Sequence, residues 1–478
     1  MRRLTGPNAV VRSLRGMSVQ QIVSPIDGSV YAERTSVSPH ELERVLARAA
    51  RARHEWQSLP LGDRQVACER MVAHMESVAD EIAVELAHQM GRPVRYGGNE
   101  IRRGYQERAR HMISIAADGL ADIAVDGPDG FQKFIRRDPL GSVLVVAPWN
   151  YPYLCAVNSI VPALLAGNTV VLKHATQTML CAERIGEAFA AADVPDGVFQ
   201  HVVATHDDVA AMIADPRIDF VAFTGSVEGG HVIQRRAGER FIGTGLELGG
   251  KDPSFVRPDC DLELTIAENV DGSFFNSGQS CCAIERIYVH ADVYDEFLDG
   301  FVETTRRYVL ANPLQDETTI GPMVTARAAD MVRGQVTDAL AQGARALVSE
   351  SDFPQAAAGT PYFGPTVLVD VDHSMRVMTE ESFGPVIGIM KVDSDAEAIR
   401  LMNDSDYGLT ASIWTRDVEA AISIGDQVAT GTAYMNRCDY VDPALVWTGV
   451  KDTGRGQALS RLGFDPFTRL KSFHLKLV

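Results

Sequence analysis

The chain has 478 residues, 46% hydrophobic and 23% charged, and carries a formal net charge of −18. That length exceeds one ordinary core and suggests about three structural units, while the acidic balance argues against a nucleic-acid partner, which needs a basic face to displace counterions. No apolar run approaches the ~18 residues of a membrane span, and seven scattered cysteines without CxxC spacing are neither a disulfide framework nor a metal-ligand set, so a reducing cytoplasm fits best.

Residues 1–26 carry Arg2, Arg3, Arg12 and Arg15 with no acid before Asp27. Such a start is either a transit peptide or a disordered tail with Met17 as a second start, and residues 1–23 are read as the tail. Folding is expected to begin at the turn Ser24-Pro25-Ile26-Asp27-Gly28. The first helix then has Ser38 as N-cap, Pro39 at N1, Glu41 closing a capping box and Val37 stapled onto Leu42. Leu42, Val45, Leu46 and Ala49 follow at helical spacing, and helical pattern continues to about residue 118.

Asp126-Gly127-Pro128-Asp129-Gly130 separates two short strands, 123–125 and 131–135. From Gly141 onward, β-branched runs at 142–147, 169–173 and 219–224 alternate with helical stretches such as 178–191. Interleaved strands and helices imply a parallel sheet covered on both faces. A second α/β region spans about 250–450. The tail, 472–477, alternates like a strand; it has no hairpin partner nearby and is expected to pair with another sheet.

Several segments carry chemistry. Cys281, in Phe275-Asn276-Ser277-Gly278-Gln279-Ser280-Cys281, offers a thiol nucleophile, and Glu247, in Leu246-Glu247-Leu248-Gly249-Gly250-Lys251, a carboxylate base. For a single cysteine, a buried structural role is the commoner one. Phe223-Thr224-Gly225-Ser226, with Gly229 and Gly230, lies between a strand and a helix, where backbone can approach a phosphate; it is also compatible with a plain turn. Asn150, between Pro148 and Pro152, either satisfies a turn or aims an amide at a developing oxyanion. Lys173 ends a parallel strand, where such sheets bind ligands.

Taken in order, these motifs make the chain resemble the aldehyde dehydrogenase superfamily from about residue 24 to the end. The set comprises Pro148-Trp149-Asn150-Tyr151-Pro152, 167–173 ending in Lys173, 223–226, 246–251, 275–281 and Glu380-Glu381-Ser382-Phe383-Gly384-Pro385-Val386. It continues with Asn403, Tyr407-Gly408-Leu409, Asn436 and Gly449-Val450-Lys451-Asp452-Thr453-Gly454. The resemblance implies an α/β aldehyde dehydrogenase-like fold. Its Rossmann-type dinucleotide domain would occupy 24–118 and 141–249, its catalytic domain 250–451, and a β oligomerisation region 119–140 and 452–478.

The resemblance also implies roles. Cys281 would be the nucleophile and Glu247 the general base, with Asn150 and the Cys281 N–H as the oxyanion site. Trp149, Lys173, Thr176, Gly225, Ser226, Gly230, Leu248, Glu381 and Phe383 would bind NAD or NADP. The expected reaction is oxidation of a small-molecule aldehyde to an acid through a thiohemiacetal and thioester, by a cytoplasmic homodimer or homotetramer without metal. A CoA-acylating enzyme would lack Glu247, and a non-catalytic structural protein would not need Cys281, Glu247, Asn150 and Lys173.

Three features depart from the family pattern. Thr176 stands where NAD-preferring members carry glutamate, so NADP is expected to be at least tolerated. Asn158 and Phe275 stand where succinate-semialdehyde members carry arginines, and a carboxylate there would be left unpaired. Together with Leu154, Cys155, Ser280, Cys282, Asp439, Val441 and Trp447, they favour a neutral medium-sized or aromatic aldehyde, with Arg437 able to meet an acidic substrate from the rim. Succinate semialdehyde is the alternative. Trp447 and Thr448 replace the usual residues before the late lysine; Trp447 either narrows the mouth or fills a packing space, and the sequence supplies no reason for Thr448.

Overall fold

The computed structural model describes residues 17–477. A six-stranded sheet runs in the order 454–455, 243–247, 220–224, 142–147, 169–174, 199–202, parallel throughout except at the Gly454–Arg455 edge. Its two central strands, Ser142–Ala147 and Thr169–His174, are buried along their whole length. The alternation of a strand explains this. Val143, Val145 and Ala147 join one core with the helices Leu61–Ser77 and Pro152–Leu165. Leu144 and Val146 point the other way, into a core with Leu42, Val45, Leu46 and Ala49 of Pro39–Ser58. The helix start is built as its sequence suggests: Ser38 accepts from the Glu41 N–H, and Glu41 returns the bond to Ser38.

A second, seven-stranded sheet has the order 345–348, 366–369, 386–392, 284–290, 252–256, 410–414, 432–435, with only the first strand antiparallel. Ile287 and Val289 face one core, and Tyr288 between them faces the other. The tail strand Thr468–Lys476 pairs antiparallel with Phe131–Pro139 over nine residues, and Ile123–Ala124 completes a three-stranded sheet. Phe134 and Phe473, opposite each other, stack at 4.5 Å.

Two boundaries differ from expectation. The turn at Ser24–Gly28 is the loop of a hairpin between Val19–Val23 and Val30–Thr35, so residues 19–23 belong to the fold and not to the tail. The turn is not the start of order, because Val19-Gln20-Gln21-Ile22-Val23 before it forms a strand paired with Val30–Thr35. The six-stranded sheet also takes its edge, Gly454–Arg455, from the segment expected to form the oligomerisation and bridging region. Residues 1–16, including the four arginines of the proposed tail, lie outside the described residues.

Candidate active site

The site forms where the carboxyl ends of the six-stranded sheet meet the loop before the second sheet's strand Ile284–His290. Glu247 ends its strand opposite Thr224, whose hydroxyl donates to Glu247 Oε2 at 3.3 Å. Burial pushes the Glu247 carboxyl up to about 7, with the Thr224 bond and the Arg108 charge acting the other way. The chain then turns through Gly249 and Gly250. A β-carbon at Gly250 would collide with the carbonyl oxygen of Cys281, so glycine is needed for the backbone of the carboxylate segment to touch that of the thiol segment.

Cys281 follows a short turn, Phe275–Gly278, in which Asn276 and Ser277 both adopt left-handed backbone angles (φ 55° and 58°). Such strain costs about 1–3 kcal/mol per residue and persists where surroundings enforce it. Here the Asn276 amide donates to the Gln279 carbonyl at 3.1 Å, and the Ser277 hydroxyl donates to the Gly321 carbonyl at 2.8 Å. Two further thiols lie beside Cys281. Cys282 is raised well above its ordinary value by its bond to Cys281 and by burial, and Cys155 by burial and the neighbouring charges of Cys281 and Glu247. Neither is suited to be a thiolate.

Cys281 stands between two spaces. On one side a cleft of about 610 Å³ is lined by Trp149, Asn150, Lys173, Gly225, Ser226, Leu248, Glu381 and Phe383. On the other, a cavity of about 160 Å³ is lined by Glu247, Leu154, Cys155, Asn158, Phe275, Ser280, Cys282, Asp439, Val441 and Trp447. Cys281, Thr224 and Leu248 border both. Every aldehyde-lining residue expected from sequence thus reaches one cavity.

The cleft has the features a dinucleotide needs. Helix Val227–Gly238 begins there with Ser226 as N-cap, leaving N–H groups and positive potential at its start. Lys173 is only 6% exposed, and among the described residues its ammonium forms no hydrogen bond or ion pair; burial lowers its pKa. His206 and Arg236 also line the cleft, as does Glu228. At the far end the buried Lys251–Glu285 pair (2.6 Å) organises the next loop, because Glu285 accepts from the N–H groups of Ser382 and Phe383 at 2.8 Å each. This sets Glu381, whose carboxyl is pushed up to about 7 by burial and Glu285, and Phe383, edge-on to Trp149 at 5.5 Å.

Two expected cofactor residues are elsewhere. Thr176 does not line the cleft: the chain enters a tight turn at Thr176–Thr178, and its hydroxyl donates to Gln20 of the N-terminal hairpin at 3.4 Å. Gly230 lies inside the helix, packed under Leu248. Arg437, expected at the rim, is exposed and stacks on the Tyr440 ring at 3.6 Å.

The cationic residue in the cavity wall is Arg108, which sequence reading missed. It donates to the Leu154 carbonyl at 3.3 Å and to Asn158 Oδ1 at 3.4 Å, and among the described residues it forms no ion pair. Asp439 bonds Ser280 at 3.2 Å and Cys282 at 2.9 Å, and burial pushes it up to about 6. Trp447 both lines the cavity and is buried in the main core. Thr448 gains a reason: its hydroxyl donates to the Gly456 carbonyl at 2.6 Å, pinning the cavity-lining strap.

The sequence profile of the aldehyde dehydrogenase family matches residues 14–473, and the chain belongs to that family. It is 36% identical over 453 residues to an aldehyde dehydrogenase of Paenarthrobacter nicotinovorans, covering 94% of this chain and 98% of the relative. It is 32% identical over 455 residues to an NADP(+) succinate-semialdehyde dehydrogenase of Mycobacterium tuberculosis, with the same coverage. Among solved structures, the NADP-dependent glyceraldehyde-3-phosphate dehydrogenase of Bacillus halodurans complexed with NADP superposes with a TM-score of 0.90 at 32% identity, covering 96% of each chain. The protein is thus an NAD(P)-dependent aldehyde dehydrogenase of α/β fold. Among the described residues no helix is long and apolar enough to cross a membrane.

Proposed function

We propose that the protein oxidises a small aldehyde carrying an anionic or strongly accepting group at its far end, with NADP+ as the preferred cofactor. One observation carries this reading: Cys281 borders both the dinucleotide cleft and a cavity whose wall holds Glu247 and an unpaired Arg108. The sulfur of Cys281 bonds the carbonyl carbon. The negative oxygen that develops meets the Asn150 amide and the Cys281 N–H. Phe383, Trp149 and Glu381 would hold the nicotinamide riboside of a dinucleotide in the cleft, and that group would accept the hydride when bound. Glu247, held near neutrality by burial, takes a proton from the water that frees the acid.

The NADP preference is supported by Lys173, buried and without a partner among the described residues, and by His206 and Arg236 in the same cleft. Glu228 and Glu381 are the acids lining the cleft. Two related proteins, an NADP(+) succinate-semialdehyde dehydrogenase and an NADP-dependent glyceraldehyde-3-phosphate dehydrogenase, agree with an anionic substrate. A second reading, a neutral medium-sized or aromatic aldehyde, draws on the Phe275 and Trp447 walls.

Initial rates at 340 nm for succinate semialdehyde, hexanal and benzaldehyde, each with NADP+ and NAD+, separate these readings. Succinate semialdehyde with NADP+ is expected to give the highest kcat/KM; hexanal or benzaldehyde leading would reverse the substrate reading. The open three-stranded sheet, with Leu470 and Leu475 exposed, supports assembly into a dimer or tetramer, and a strict monomer by light scattering refutes that.

A further inference from the structure

Arg92 lies in none of the spaces described above, yet it bonds two segments that the reaction must hold in register. It follows Gly91, which caps helix Ala79–Met90 in the left-handed region (φ 84°) and packs so closely on the Pro322 carbonyl that a β-carbon would not fit. Its start point is therefore fixed. The guanidinium is 3% exposed and its ion-pair partner Glu100 1%. One nitrogen donates to the backbone carbonyl of Asn150 at 2.6 Å, and another to Asn276 Oδ1 at 3.1 Å. The Asn276 amide donates in turn to that same Asn150 carbonyl at 3.2 Å. The plane of the guanidinium also lies over the Tyr151 ring, 4.5 Å from its centre.

Glu100 extends the network. It opens a π-helical turn, Glu100–Tyr105, and its other oxygen accepts the N–H groups of Tyr153 (2.9 Å) and Leu154 (3.2 Å) at the start of helix Pro152–Leu165. The backbone is thus gripped on both sides of Asn150–Tyr151, while Asn276 ties the same centre to the strained turn that delivers Cys281. No hydrogen bond of Arg92 is spent on stability alone in an obvious way, since each reaches one of these two segments or the residue that holds them.

We propose that Arg92 is a positioning residue that locks the Asn150 backbone and the Cys281 loop to each other, so that the two donors to the developing oxyanion keep one geometry. The proposal rests on the roles assigned above to Asn150 and Cys281. An arginine suits this task because its planar fork reaches three acceptors at once, which a lysine ammonium does less rigidly. Without it, aldehyde and cofactor still bind, and the thiol remains reachable, but the oxyanion is poorly met.

The full-length protein is compared as wild type, Arg92→Lys, Arg92→Met and Asn276→Asp, the last keeping the acceptor for Arg92 while losing the amide donor. Four quantities are read: kcat, aldehyde KM, the NADP+ dissociation constant by tryptophan fluorescence, and the rate of Cys281 alkylation by iodoacetamide mapped by mass spectrometry. Displacement of a donor by about 1 Å is expected to lower kcat about 100-fold in Arg92→Met, with NADP+ affinity and alkylation within about twofold of wild type. Arg92→Lys should recover part of kcat, and Asn276→Asp should lower kcat with cofactor binding intact. Wild-type kcat in any of these variants, or parallel loss of NADP+ binding, alkylation and kcat, overturns the proposal. If Arg92→Met does not fold, the other two decide by the same criteria. Turnover by Cys281→Ser is a separate result, which would remove the underlying assignment and not merely this coupling.

Discussion

The cleft of about 610 Å³ is walled by strand ends and turns of one sheet and by the helices His206–Ala214 and Val227–Gly238 beside them, whereas the cavity of about 160 Å³ is walled by side chains from separated segments. The cleft draws on Val146, Ala147, Lys173, Phe223, Gly225 and Ser226, all at the carboxyl ends of neighbouring parallel strands or just beyond. The cavity collects Arg108 from helix Gln106–Gly119, Leu154 and Asn158 from Pro152–Leu165, Ser280 and Cys282 from the thiol loop, and Asp439 and Trp447 from the late strap. A dinucleotide is read mostly by backbone and topology. An aldehyde is read by whichever side chains happen to converge on it.

The strongest test of this division is at its border. Cys281→Ser should lower oxidation by roughly 10⁴-fold or more, since an alcohol at neutral pH is a far weaker nucleophile than a thiol. Cys282→Ser, on the cavity side alone, should keep most activity, and equal losses in the two would erase the distinction between them. Next, Glu247→Gln should cut steady-state turnover by about 10²–10⁴-fold. A single turnover of NADPH formation should survive, and intact-mass spectra should hold an acyl adduct on Cys281; loss of the adduct together with turnover would show that the carboxylate acts before deacylation. In the wild type, turnover limited by deacylation should rise with pH through about 7, as Glu247 loses its proton.

Smaller effects separate the two chambers further. Arg108→Leu should reduce kcat/KM for succinate semialdehyde by about 10–100-fold, the worth of a bond to a charged group, and leave that for hexanal nearly unchanged. Arg108 also holds the Glu247 carboxyl down, so the same variant should move the pH inflection upward. A shift downward, or equal losses for both aldehydes, breaks the assignment. Finally, Lys173→Met should raise the NADP+ KM by about tenfold while aldehyde KM stays constant; a change in aldehyde KM instead would mean that the chambers are not separable.

The contrast also explains what could be read before the structure. Cys281, Glu247, Asn150, Lys173 and the turn at Gly225–Ser226 sit in short contiguous motifs whose local geometry is set within a few residues, and the structure gathers them around one centre. The cavity positions Leu154, Cys155, Asn158, Phe275, Ser280 and Cys282 could be counted from those anchors because they lie close in sequence to Asn150 or Cys281. Counting failed at Thr176, where the chain leaves strand geometry for a tight turn and the side chain is captured by Gln20 from a hairpin the sequence had assigned to a tail. It failed again at Arg108. That residue has no motif around it, and its direction depends on the π-helical turn at Glu100–Tyr105, which rephases the helix before it reaches the cavity. A residue period of 3.6 read across that turn points to the wrong face.

The narrow border of Cys281, Thr224 and Leu248 has an evolutionary consequence. Most of the positions that select an aldehyde can be replaced without disturbing any group that touches the dinucleotide, so descendants of such a chain can exchange one oxidisable compound for another in a few substitutions. The sheet that recognises the shared coenzyme meanwhile stays fixed.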